Sequence, residues 1–142
     1  MTLWQTLLIN ANACFNQQNF EKAEENYHQA IECIEQYWQE NSNDFELLMA
    51  WVSAFHNLAV LYETQEQPKL AFRYLQIPHQ RMTELSQQSQ YGDSLNFFAL
   101  RALKITLTPM LAFSKKYPAC DGCLSSLQKM AVAINDNQPV IH

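Results

Sequence analysis

The sequence predicts an all-α protein of about six helices, and three observations carry that reading. Apolar residues recur at three- and four-residue spacing in six segments, roughly 2–17, 20–40, 44–65, 68–87, 93–116 and 122–134, the period that gathers side chains on one helix face. No alternating run of branched residues is long enough to argue for a sheet. Capping residues and both glycines, Gly92 and Gly122, fall at segment borders.

Each segment has its own punctuation. The first, 2–17, places Leu7, Ala11 and Cys14 on one face. Asn19 can open the second by accepting an orphan amide bond, and Glu21, Glu24 and Glu25 follow where the helix dipole favours acid. Asp44 opens the third in the same way, Pro68 suits the first turn of the fourth, and Asp93 follows Gly92 at the fifth. Pro118 and Gly122 separate the fifth from the sixth. Pro78 and Pro109 fall inside helices, where a missing amide and a steric clash predict kinks. "SLNFFALRALKITLTPMLAF" is apolar on nearly every face and reads as a deeply packed helix.

A chain of 142 residues is long enough for one domain with a real core, residues 1–142. Only 16% of the residues are charged, below the ~25% usual for soluble domains. Asparagine and glutamine together number 26, so much of the surface is polar without charge. The net charge is −5 and the nine Lys and Arg are scattered singly or in pairs, which leaves no basic run to neutralise phosphates and argues against nucleic acid as a partner. With two glycines the chain cannot build a phosphate-cradling loop. HExxH and GxSxG are absent, and no nucleophile has an identifiable base and orienting partner. The expected protein is not an enzyme and needs no cofactor.

"MTLWQTLLINANAC" looks superficially like a secretion signal. It lacks a cationic start, and Asn10 and Asn12 interrupt its apolar run. No other window approaches the ~18 apolar residues of a membrane span. The expected setting is cytoplasmic, away from membranes, with the four cysteines reduced.

Two helix pairs carry one pattern. Leu58, Ala59 and Tyr62 share a helix face, and Ala71 and Leu75 lie on the next helix after a polar break at Gln65 to Gln67. Ala11 and Cys14, then Ala23, Tyr27 and Ala30, repeat that arrangement 48 residues earlier. Small residues let two helix axes cross closely, and large ones fill the space beside the crossing.

This spacing resembles the tetratricopeptide repeat, whose signature is a large residue, Leu, a small residue and Tyr on one helix, then Ala and an aromatic on the next: Phe55, Leu58, Ala59, Tyr62, Ala71 and Leu75 follow that order. "NFEKAEENYHQAI" looks like the second half of another such repeat, in which Asn10 and Cys14 replace the usual Leu and Tyr. "HNLAVLYETQ" is also similar to the longer repeats of kinesin light chains and their bacterial relatives. The resemblance covers about residues 4–85 and implies a right-handed stack of antiparallel helix hairpins, a TPR-like superhelix. Repeat 1 would span about 4–40 and repeat 2 about 44–87, with a degenerate third pair at about 93–134 and a tail at 135–142. The separation of 48 exceeds the standard 34, so helix ends near 32–40 and 45–51 should project beyond the ordinary unit.

The resemblance further implies a concave groove for a partner's peptide or helix, as in adaptors and small chaperones. Gln5, Leu8, Asn12, Phe15 and Asn16 would line it from repeat 1, and Ser53, His56, Asn57, Val60 and Glu63 from repeat 2. In peptide-binding members, asparagines at the places of Asn12 and Asn57 hold a partner's backbone, since a carboxamide both donates and accepts. Of the bases that grip a terminal carboxylate, Leu8 occupies one site, and Arg101 and Lys104 are possible basic contacts. His56 should face the groove beside Glu63.

An alternative centre is "YPACDGCLSSLQK", where Cys120 and Cys123 have ligand spacing. Two thiolates are half of a zinc site, and a cysteine at a helix start can also serve redox chemistry. Incidental packed thiols are the bland reading, as for Cys14 and Cys33. Trp4, Trp38 and Trp51 are either partner anchors or core. An unfinished apolar face at the end of a short array could close in a homodimer.

Overall fold

A computed structural model describes residues 1–118, and all its regular structure there is helical. Five α-helices are present: α1 (Leu3–Asn16), α2 (Phe20–Glu40), α3 (Phe45–Thr64), α4 (Pro68–Gln87) and α5 (Asp93–Lys116). A 3-10 turn, Ser89–Tyr91, joins the last two. About six helices are expected; the sixth, 122–134, and the tail 135–142 lie outside the described residues. The other five begin and end within a residue of their expected limits, because the signals that bound a helix are local.

The caps show this. Thr2 and Gln5 close a reciprocal capping box at the start of α1, with Thr2 N donating to Gln5 Oε1 at 2.9 Å and Gln5 N to Thr2 Oγ1 at 3.4 Å. Asn19 accepts from Lys22 N at 3.4 Å, and Asp44 from Leu47 N at 3.1 Å. Pro78 and Pro109 lie inside α4 and α5, and neither ends its helix.

The chain divides into two compact units, Met1–Tyr74 and Leu75–His142. In the first, α2 packs against both α1 and α3. Ala11, Ala23, Ala30, Leu58 and Ala71 are fully buried, and Tyr27, Ala59 and Tyr62 nearly so. These are positions of the repeated pattern, and burial follows the 48-residue period at its alanines, Ala11 with Ala59 and Ala23 with Ala71, whereas Cys14, opposite Tyr62 in the period, is half-buried. The turns follow it too. Gln18 and Glu66 both adopt left-handed backbone, at φ 62° and 60°, and each is followed by an amide that reaches back five residues: Asn19 N to Cys14 O and Gln67 N to Tyr62 O, both 2.9 Å. Neither turn uses glycine, so each carries the Cβ strain of that conformation.

An aromatic row fills the first unit beside these crossings. Trp51 and Phe55 rings lie 4.6 Å apart, Phe55 and Tyr74 5.6 Å, and Tyr74 and Tyr62 5.0 Å. Trp51 is a core residue whose indole donates to Glu35 Oε1 at 3.1 Å, while Trp4 and Trp38 are half-buried. In the second unit Leu85, Leu95, Ala99, Leu103 and Leu107 form an apolar core around a polar pair, His79 and Thr106.

One expectation is corrected. α3 and α5 are each long and apolar enough, by length and composition, to cross a membrane, with 56% and 39% of the relevant windows buried inside the protein. A helix that buries one apolar face satisfies the same arithmetic as a lipid-facing one; α5, expected to be deeply packed, exposes Phe97, Arg101, Lys104 and Ile105 along one side.

Candidate functional site

Helical spacing places Asn12, Phe15 and Asn16 on one face of α1, and Asn57 and Val60 on one face of α3. The packing of α1 and α3 on α2 brings those faces together around an open recess of about 340 Å³, lined by these five residues and by Tyr27 of α2. Tyr27 is 2% exposed, so it forms the floor. Its hydroxyl donates to Asn12 Oδ1, and Asn57 Nδ2 donates to the same oxygen at 3.4 Å.

Asn12 Oδ1 is therefore committed within the protein, and its amide is oriented by two donors from two other helices. Its own Nδ2 donates to nothing among the described residues and can serve an external acceptor. Burial raises the Tyr27 phenol above its ordinary pKa, partly offset by a hydrogen bond with Asn57, so Tyr27 acts as a neutral donor. Phe15 packs edge-on against Phe20 at 5.4 Å, and Val60 is half exposed at 50%. The recess thus combines fixed amides with an apolar rim.

Five of the ten expected groove residues line this recess, and five do not. Gln5 is occupied by its cap. Leu8 and Glu63 are half-buried and Ser53 is exposed, each on its expected helix. His56 differs most. Its Nε2 is buried without a hydrogen-bond partner among the described residues, so Glu63 does not bond that nitrogen. Arg101 and Lys104 lie exposed on α5, in the second unit. Tyr27 is the residue that sequence reasoning assigned to packing alone; its signal was a hydroxyl at a buried position, which requires a partner.

The family model of a protein of unknown function (DUF2753) matches residues 2–142. The chain belongs to that family. No curated protein and no solved structure matches it. The match takes in both units.

A second polar cluster stands in the first unit. Tyr62 donates to Glu24 Oε1 at 3.0 Å, and His28 Nε2 lies 3.0 Å from the same hydroxyl. Burial first, then Glu24, raises the Tyr62 phenol far above its ordinary pKa. The arrangement holds three polar groups satisfied where α2 meets α3. Cys14 and Cys33 are half-buried, and burial raises the Cys33 thiol, which makes it a poor nucleophile. Among the described residues no group of three or more His, Cys, Asp or Glu could hold a metal ion. Cys120 and Cys123 lie outside the described residues.

Burial lowers the His56 pKa. A folded-state value below the unfolded ~6.5 means that stability is complete above about pH 6.5 and falls as pH drops through the lowered value. Thermal melts of His56→Leu between about pH 8 and pH 5 should show a flatter acid limb than the wild type. Parallel profiles would mean that His56 is protonated in the folded protein without cost.

Proposed function

We propose that this chain is a TPR-like stack of helix hairpins acting as a non-enzymatic interaction module, which holds a peptide or helix of a partner protein in a groove along α1 and α3. The carrying observation is the recess itself. Residues 45 positions apart, Asn12 and Asn57, meet in it through a direct hydrogen bond. Support for the stack comes from the 48-residue period in burial and from the matching left-handed turns at Gln18 and Glu66. The chemistry suits a peptide, because a partner's backbone carbonyl can accept from the oriented Asn12 amide while an apolar side chain covers Phe15 and Val60.

Asn57→Trp fills the recess with an indole and removes the Asn12 contact. Asn57 is at the surface side of α3, so the fold should survive, which a melt will show. In pull-downs from native lysate, a protein captured by wild type should be lost with Asn57→Trp. Equal capture by both would remove the recess from the function. Metal analysis of the same preparation addresses the other reading: stoichiometric zinc without recess-dependent capture would move the function to Cys120 and Cys123.

A further inference from the structure

Charge is unevenly distributed along the chain. Residues 1–66 carry ten acidic side chains against a single lysine, Lys22. α2 holds six glutamates, whereas α5 holds Arg101, Lys104, Lys115 and Lys116 with one aspartate, Asp93, in its first turn. The bases look scattered in sequence, but each residue of a helix turns it by about 100°. Phe97, Arg101, Lys104, Ile105 and Lys115 consequently share one face of α5, and all five are exposed. Leu95, Ala99, Leu103 and Leu107 are buried on the other side.

Among the described residues no ion pair engages the bases of this face, Arg101, Lys104 and Lys115. The Arg101 guanidinium stacks 5.7 Å from the centre of the Phe97 ring, which holds the cation against the helix. Phe97 and Ile105 are 44% and 50% exposed. On α2, Glu21, Glu25, Glu32 and Glu35 are exposed as well.

The spacings correspond. Arg101, Lys104 and Lys115 stand at intervals of 3 and 11 residues, and Glu35, Glu32 and Glu21 repeat those intervals in reverse. Two helices laid antiparallel therefore match all three opposite charges in rise along the axis, and the sideways offsets left by the helical winding fall to the long, flexible side chains to span. Glu35 takes part with its second oxygen, since Oε1 accepts from Trp51.

We propose that the exposed face of α5 docks antiparallel on α2 of a second copy of this chain, pairing Arg101 with Glu35, Lys104 with Glu32 and Lys115 with Glu21. Phe97 and Ile105 add the apolar area that exposed ion pairs lack, each such pair contributing little by itself. The two surfaces are different, so the contact either closes into a small ring or dimer or propagates into longer assemblies. The association is weak and salt-sensitive because exposed pairs are screened.

Sedimentation equilibrium of the full chain reads this directly. At low salt the wild type should exceed monomer mass, and high salt should return it to monomer. Lys104→Glu and Glu32→Lys should each weaken association roughly tenfold or more, with unchanged circular dichroism. The double variant Lys104→Glu/Glu32→Lys should regain it, and an equimolar mixture of the two single variants should associate better than either alone. Asn57→Trp should leave the assembly unchanged, which separates this contact from the recess. A wild type monomeric at millimolar concentration and low salt overturns the proposal. So does association that ignores either reversal, or a double variant that fails to recover; the face of α5 would then belong to residues 119–142 or to an acidic partner.

Discussion

Tyr62→Ala should destabilise the protein by about 3–5 kcal/mol, the range for removing a large buried aromatic side chain. Tyr62 is 3% exposed and its ring meets Tyr74 edge-on at 5.0 Å, so truncation opens a cavity where α2 meets α3. It also leaves Glu24 and His28 without their shared hydroxyl. Tyr62→Phe separates the two effects. It keeps the ring and removes only the hydrogen bonds, and should cost about 1–2 kcal/mol. Urea unfolding of the three proteins measures both differences. If the phenylalanine variant is as damaged as the alanine variant, the polar network rather than ring packing governs this contact.

Thr106→Val should destabilise the second unit by about 1–3 kcal/mol, the cost of stranding a buried polar group. Thr106 is fully buried and His79 is 3% exposed. The threonine hydroxyl donates to Leu103 O at 3.1 Å, so it accepts from His79 Nδ1 at 2.9 Å. That places a proton on Nδ1, and burial of the ring disfavours a second proton on Nε2. Thr106→Val leaves the Nδ1 proton with no acceptor, whereas His79→Leu combined with Thr106→Val removes both partners and should cost less than Thr106→Val alone. Burial also lowers the His79 pKa. Its contribution is therefore whole above about pH 6.5 and is lost as pH falls through the lowered folded-state value. The double variant should accordingly lose part of the acid sensitivity of the wild type. Additive costs in the double variant, or an unchanged acid limb, would mean that His79 and Thr106 are not coupled as described.

The buried histidine and the recess have a common origin in long-range contacts. His79 and Thr106 are 27 residues apart, Asn12 and Tyr27 15, and Asn12 and Asn57 45. A sequence contains no local signal for such pairings. It does contain the face on which each residue lies, while the joining of Asn12, Phe15, Asn16, Asn57 and Val60 into one surface was implied only by the resemblance to the tetratricopeptide repeat. Gln5 was legible as a surface residue but not as a cap partner, because two local demands, a groove position and a capping box, fall on the same side chain.

The turns show another limit. Left-handed backbone at Gln18 and Glu66 could not be read from residue type, since glycine is the usual marker and neither position has it. The 48-residue period was nevertheless visible in the alanines around them, Ala11 with Ala59 and Ala23 with Ala71. Charge behaved similarly: the bases of α5 are unremarkable in order along the chain and become one face only when the helix winds them together.

The sequence by itself determined the helical class, the limits of five helices and the periodic burial of the small residues where helices cross. These depend on capping and on three- and four-residue spacing, which act within a turn or two of the chain. Tertiary structure alone decided that Tyr27 floors the recess, that His56 turns a bare nitrogen inward and that His79 is buried against Thr106. Those outcomes depend on which helix faces meet, and burial changes the strength of every polar contact once they do.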